Sequence, residues 1–306
     1  MTKFWSIMRE TGKIWMNGKL VPFKNAKIHV LTHALHYSTS IFEGIRCYDT
    51  PEGSAIFRLP EHVDRFFNSA KSYSMKMPYS KKKINDGIIN TVKASKLKQC
   101  YIRPLAYYGY GTMGLTPTNN KVDISISCWE WKMGESKAGK FSGAKCKISK
   151  WIRIDSKSQP MQAKSAANYS NAALARMEAL NAGYDEAIML NNKGHVAEGS
   201  AENIFVVKNG KITTPPLDAD ILNGITRDSV IKLLKSNKIK VIEKNLRIND
   251  LLRADEIFMT GTAAEVKSVT TVNKTKIGEI TKELQESFMD TVMGKNKKFR
   301  SWLKFI

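Results

Sequence analysis

Lys164 stands in the run Gln162-Ala163-Lys164-Ser165-Ala166-Ala167-Asn168-Tyr169, among small and amide side chains. Such neighbours suit an amine that must approach a flat, buried group closely. Lysine reacts as an amine when desolvation or crowding removes its proton, which is how Schiff-base lysines are made. Gly224-Ile225-Thr226-Arg227 precedes a stretch with helical periodicity. Backbone N–H groups at a helix N-terminus bind phosphate and carboxylate, although capping by Thr226 would account for the same residues. Thr260-Gly261-Thr262-Ala263-Ala264 is a second small-residue turn, placed after an apolar stretch. Small residues there let a ligand reach backbone donors, but the segment reads equally as a turn alone.

Ala197-Glu198-Gly199-Ser200-Ala201-Glu202-Asn203 sets two carboxylates in a small-residue loop. Solvated, they have no special role; facing a buried cation, one of them tunes electron demand. Tyr101-Ile102-Arg103 puts Tyr101 and Arg103 on one strand face, at i and i+2. A surface arginine is the ordinary reading. An arginine inside an apolar strand more often binds a buried carboxylate.

With these segments go Thr32-His33-Ala34-Leu35-His36-Tyr37-Ser38-Thr39-Ser40-Ile41-Phe42-Glu43-Gly44-Ile45-Arg46 and Phe57-Arg58. Together and in order, over about residues 12 to 270, the set resembles the branched-chain amino-acid aminotransferases of the fold-type IV pyridoxal-phosphate family. The resemblance implies pyridoxal 5′-phosphate as cofactor, with Lys164 as its Schiff-base lysine and proton shuttle. Glu198 would pair with the pyridine nitrogen and make the ring an electron sink. Tyr169 would lie beside the 3′-oxygen, and Leu222 would pack on the ring face. Arg58, Ile225, Thr226 and Thr262 would hold the phosphate.

The resemblance also implies a substrate pocket. Tyr37, Phe42, Met113, Leu115 and Trp131 match the family's apolar wall, part of which comes from a neighbouring subunit. Arg103 matches the residue that receives the second carboxylate of glutamate, and Tyr101 with the Thr262-Ala263-Ala264 turn would bind the α-carboxylate. One charged group at the pocket edge serves the acidic substrate without closing the apolar space to the branched one. The implied activity is ping-pong transfer of the amino group between leucine, isoleucine or valine and 2-oxoglutarate, in a homodimer or homohexamer. D-amino-acid aminotransferases and aminodeoxychorismate lyases share the lysine, the glutamate and the phosphate loops. Phe42-Glu43-Gly44-Ile45-Arg46 and Tyr101-Ile102-Arg103-Pro104 favour the branched-chain group. Two departures stand out. Lys132-Met133-Gly134 follows Trp131 where bacterial members carry a tyrosine, and Ser38 stands where they often have glycine.

The elements that must position these groups are legible in outline. Asn17-Gly18 and Asn209-Gly210 predict type I′ hairpins. Pro60 opens a helix bearing Val63, Phe66, Phe67 and Ala70, and Ser80 caps another bearing Ile84, Ile88, Ile89 and Val92. Strands are expected at 100–104, 122–131, 146–154, 185–190, 240–243 and 256–259. Helices are expected at 171–180 and about 227–235, with a last one carrying Leu284, Phe288 and Val292. Hairpins with segregated helices argue an α+β fold. The polar, Gly-bearing stretch 132–140 reads as a linker between domains 1–131 and 141–306. The resemblance makes the first a smaller α/β-sandwich-like domain and the second a larger pseudo-barrel that binds the cofactor.

Of the 306 residues 42% are hydrophobic and 25% charged, a balance that supports real cores in a soluble protein. No apolar run reaches the ~20 residues of a membrane span. Residues 1–12 show no signal-peptide core, so a cytoplasmic protein without membrane partners is expected. Cys47, Cys100, Cys128 and Cys146 have no C-x-x-C spacing and no histidine cluster beside them, which argues against a metal site or a disulfide framework. The net charge of +21 raises nucleic-acid binding. Its lysines are dispersed apart from Lys81-Lys82-Lys83 and 295–298, and no arginine-aromatic module accompanies them. No nucleic-acid partner is expected; the partners are small-molecule amino acids, 2-oxo acids and further copies of the chain.

Overall fold

The computed structural model describes residues 10–117, 119–131, 143–270, 272 and 278–306. The chain divides into two units, Met1–Met133 with Val292–Gly294 and Lys298–Ile306, and Gly134–Thr291 with Lys295–Lys297. The stretch 132–140, expected as a linker and holding the Lys132-Met133-Gly134 departure, lies outside the described residues.

The first unit begins with the hairpin β1 (Lys13–Met16) and β2 (Lys19–Pro22). Asn17 and Gly18 take φ of 47° and 94°, the positive values a type I′ turn demands. A five-residue helix, α1 (His33–Tyr37), follows; it is too short to show a periodicity in sequence. It is pinned by His33, whose Nδ1 lies 2.8 Å from Thr39 Oγ1 and whose Nε2 lies 2.9 Å from Gly114 O. Ser38 ends α1 in the left-handed conformation, φ 55°. The position therefore does require the backbone that glycine adopts freely, at a cost to serine of about 1 kcal/mol.

β3 (Ser40–Phe42), β4 (Ile45–Thr50), β5 (Gly53–Phe57), α2 (Leu59–Ser72), α3 (Lys81–Ser95), β6 (Cys100–Tyr108) and β7 (Val122–Glu130) complete most of the unit. The sheet runs Leu303–Phe305, β5, β4, β6, β7, β1, β2, with β3 also paired to β6. Val63, Phe66 and Ala70 of α2 and Ile84, Ile88 and Val92 of α3 are buried with Ile45, Ile56, Ile102 and Ile126 of the sheet in one core. Each large apolar side chain so placed contributes about 2 kcal/mol. Ser80 Oγ accepts the Lys83 N–H at 3.2 Å, as its cap role predicts.

The second unit holds β8 (Cys146–Ile148), α4 (Ala166–Asn181), β9 (Glu186–Leu190), β10 (Val196–Gly199), β11 (Asn203–Lys208), β12 (Lys211–Thr214), α5 (Ile225–Ser236), β13 (Val241–Glu243), α6 (Ile248–Leu252), β14 (Glu256–Gly261), β15 (Glu265–Val269) and α7 (Glu279–Val292). β10-β9-β8 form one sheet and β13-β12-β11-β14-β15 another. Isolated bridges Ala144–Val269 and Val196–Leu246 join their edges. Ile188, Val196, Ile204, Val206, Ile257 and Met259 fill the shared core, which agrees with the pseudo-barrel expected. The strand expected over 146–154 stops at Ile148. Ser149 Oγ there accepts the Trp151 N–H at 3.0 Å and donates to Glu178 at 2.6 Å, a local bond that competes with strand pairing. α4 starts earlier than expected, with Ser165 at its N-cap, so Lys164 lies directly ahead of a helix start. No described helix is long and apolar enough to cross a membrane.

Candidate active site

In the second unit the start of α4 fixes the backbone around Lys164. Its Nζ stands 2.5 Å from Tyr169 Oη and 4.9 Å from that ring's centroid. Glu198 is buried on β10. Arg153 Nη2 meets its Oε1 at 2.7 Å. Asn203 Nδ2 and the Leu222 N–H donate to its Oε2 at 3.0 and 3.2 Å. Burial pushes the Glu198 carboxyl above its ordinary range, against Arg153, the Leu222 N–H and Lys164. Burial prevails because a fully desolvated carboxylate loses more than one end-on guanidinium returns.

Asn203 also donates to Leu222 O at 2.9 Å. A Cβ on Gly224 would stand 2.0 Å from Asn203 Oδ1, so only glycine fits there. This clamp carries the 222–224 loop into α5. Gly224 is the N-cap, and Ile225 and Thr226 are the first helical residues. Thr226 is thus inside the helix and is not its N-cap. Thr262-Ala263-Ala264 turns between β14 and β15. A Cβ at Gly261 would lie 3.3 Å from Ala201 O, so this turn abuts the loop that follows Glu198. Thr260 Oγ1 is buried with no hydrogen-bond partner among the described residues. An amine, a buried carboxylate and a helix N-terminus with a threonine form a donor set that fits pyridoxal 5′-phosphate: Schiff base, pyridine nitrogen and phosphate.

Glu202, the second carboxylate of the motif, has a different setting. Its Oε2 accepts the Ala201 N–H at 3.1 Å. Glu186 lies beside it, paired with Arg176. Burial and then the Glu186 charge push Glu202 up to about 8.

In the first unit, Arg103 is enclosed by aromatic rings. Its Cζ lies 4.6 Å from the Phe42 ring centre, 5.4 Å from Tyr101 and 5.6 Å from Trp129. Tyr101 stacks on Trp129 at 5.0 Å and meets Trp131 at 5.3 Å. Arg103 Nη2 reaches Tyr101 Oη at 3.5 Å, and its Nε is buried with no hydrogen-bond partner among the described residues. Tyr37 and Met113 meet elsewhere in this unit. Tyr37 Oη donates to Met113 O at 3.0 Å, while Leu115 is 76% exposed. Arg58 is buried at the N-cap of α2 with φ 49°. Its Nε meets Glu61 at 2.8 Å, and its Cζ lies 4.9 Å from the Trp302 ring centre.

Sequence reasoning missed Arg153, Trp129 and the clamp role of Asn203. The signal for Arg153 was present in Ile152-Arg153-Ile154, an arginine between apolar residues like Arg103. No described group of His, Cys, Asp and Glu side chains could hold a metal, and all four cysteines are free and buried.

The chain belongs to the class IV aminotransferases, whose family model (Amino-transferase class IV) matches residues 40–272. It is an enzyme of that class, and pyridoxal 5′-phosphate is the cofactor the class uses. Among its relatives is the branched-chain-amino-acid aminotransferase of Pseudomonas aeruginosa, 42% identical over 97% of this chain and 98% of that protein. A solved structure of the T.th. branched-chain amino acid aminotransferase with pyridoxamine 5′-phosphate is 42% identical, covers 96% of this chain and 98% of its own, and superposes with a TM-score of 0.93. The same enzyme with N-(5′-phosphopyridoxyl)-L-glutamate is 42% identical over 97% of this chain and 99% of its own, TM-score 0.91.

Proposed function

We propose that the chain moves the amino group between branched-chain L-amino acids (leucine, isoleucine and valine) and 2-oxoglutarate, in two half-reactions that use one pocket in turn. The observation that carries this is Arg103, a guanidinium with a spare buried donor among Phe42, Tyr101 and Trp129. Such a place accepts an aliphatic chain on its apolar faces and the second carboxylate of glutamate at its one charge. The names of the relatives, and the glutamate adduct seen in one, support the same substrates.

When bound, pyridoxal phosphate supplies an electron-withdrawing ring that takes up the electron pair of the broken Cα–H bond. Lys164 Nζ would carry the Cα proton across and return it. Tyr169 Oη, already in contact with that nitrogen, would hold it in place. Glu198 would face the pyridine nitrogen, with Arg153 and Asn203 keeping the carboxylate oriented. The Ile225 and Thr226 end of α5, Thr262 and Arg58 would hold the phosphate, and Leu222 would cover a ring face. Tyr101 with Thr262-Ala263-Ala264 would take the α-carboxylate, and Trp131 would extend the apolar wall. Tyr37, Met113 and the exposed Leu115 would close the pocket of a second copy, which makes a dimer the smallest active form; a hexamer of such dimers is compatible with it.

A panel of L-leucine, L-isoleucine, L-valine, L-glutamate, D-alanine and aminodeoxychorismate with the cofactor-loaded protein tests the reading. Turnover of the L-branched acids and glutamate is expected. Preference for D-alanine or aminodeoxychorismate would replace it with another activity of the same fold.

A further inference from the structure

Glu43 is wholly buried, next in sequence to Phe42 of the proposed substrate cage. Its carboxylate accepts Arg65 Nε at 2.7 Å and Arg65 Nη2 at 2.9 Å. His62 Nδ1 lies 2.8 Å from its Oε2, which also accepts the Gly44 N–H at 3.2 Å. Its own N–H donates to Pro104 O at 2.8 Å. His62 and Arg65 are three apart on α2 and so share a face. The cluster therefore ties α2 to the short link between β3 and β4.

That link touches both charged and polar members of the cage. Phe42 lies under Arg103, with the guanidinium carbon 4.6 Å from its ring centre. Gly44 is so close to Tyr101 that a Cβ there would stand 1.9 Å from the phenol oxygen. Burial pushes the Glu43 carboxyl up, but Arg65 and His62 outweigh it and hold it well below the usual carboxylate range. Buried ion clusters contribute little net stability relative to apolar packing, so stability alone does not account for this one. A bidentate arginine does fix geometry, and geometry is what the adjoining residues need.

We propose that Glu43 is a positioning residue for the acidic substrate: with Arg65 and His62 it fixes the Phe42–Gly44 backbone, and through it the placement of Arg103 and Tyr101. This rests on the reading above of Arg103 and Tyr101 as the receivers of the two carboxylates of glutamate. Leucine shares the α-carboxylate that Tyr101 would receive but has no second carboxylate for Arg103, so the loss falls mainly on the acidic substrate. Small displacements of a binding group are costly to the ligand that uses it and mild for the one that does not.

The test uses the cofactor-loaded full chain, its Glu43→Gln variant and its Arg65→Lys variant. Expected for Glu43→Gln is an unchanged visible spectrum of the Lys164-bound cofactor and a kcat with leucine within about twofold. KM for glutamate and 2-oxoglutarate should rise about tenfold, and KM for leucine less than about threefold. Arg65→Lys keeps the charge and loses the fork, and should show the same split at about threefold. Unchanged KM for glutamate, or equal losses on both substrates, overturns the proposal. A shifted cofactor spectrum also overturns it. Should Glu43→Gln fail to fold, Arg65→Lys decides by the same criteria. An unmodified enzyme that turns over neither leucine nor glutamate sinks the functional reading and this proposal with it.

Discussion

Glu43 and Glu198 are both buried glutamates paired with an arginine, yet their carboxyls move in opposite directions. At Glu43 a forked Arg65 and His62 occupy both oxygens, and the carboxyl falls well below its ordinary range despite burial. At Glu198 burial prevails over one end-on contact from Arg153, and the carboxyl rises. The first charge is satisfied within the protein. The second is held in place by Arg153, Asn203 and the Leu222 N–H but remains short of positive charge, which a protonated pyridine nitrogen would supply. Burial alone does not separate the two glutamates; the charge that each carboxylate meets does.

The largest effects should fall on the Glu198 side. Lys164→Ala should lose the visible absorbance of the bound cofactor and all amine transfer from leucine; residual turnover near that of the unmodified enzyme would dismiss the lysine's assignment. Glu198→Gln should slow transfer about a hundredfold, since it removes the proposed electrostatic partner of the ring. Glu43→Gln should leave kcat almost untouched, and comparable kcat losses in the two variants would erase the distinction.

Arg153→Met leaves Glu198 buried without its cation and should lower stability to urea by about 3 kcal/mol at pH 8. The loss should shrink towards pH 5, because the already raised carboxyl then takes up a proton. Glu43 has the opposite sign. Its lowered carboxyl stabilises the fold fully above the ordinary glutamate value of about 4.3, and that contribution is lost as pH falls below it. Unmodified enzyme and Glu43→Gln should thus converge in stability in acid and separate at neutral pH.

The smallest effect concerns Glu202. Its carboxyl, raised to about 8, makes the folded state hold a proton that the unfolded chain releases near 4. Stability contributed by that proton is present below about 4 and fades as pH rises to 8. Glu202→Gln should therefore gain at least about 1 kcal/mol over the unmodified enzyme between pH 5 and pH 8. A constant difference across that range would show that Glu186 and Arg176 set the titration elsewhere.

Local features were legible from residue order. Asn17-Gly18 and the Ser80 cap depend on contacts within a few residues, and both form as expected. The early stop of β8 and the early start of α4 were not; a hydroxyl from Ser149 sets the first, and α4 starts at Ser165 with no side-chain cap to announce it. The motif around Glu198 was visible as two carboxylates, but nothing in its spacing says which one faces the lysine.

What residue order settles here is the inventory: a lysine among small neighbours, a glycine-threonine helix start, an arginine within an apolar strand, and the family these compose. Folding settles the charge balance. Arg153 reaches Glu198 and Arg65 reaches Glu43 from distant positions along the chain, and burial sets the strength of each contact. Electrostatic energies depend on distance through the fold and on the water excluded from it, and neither quantity is a property of sequence spacing.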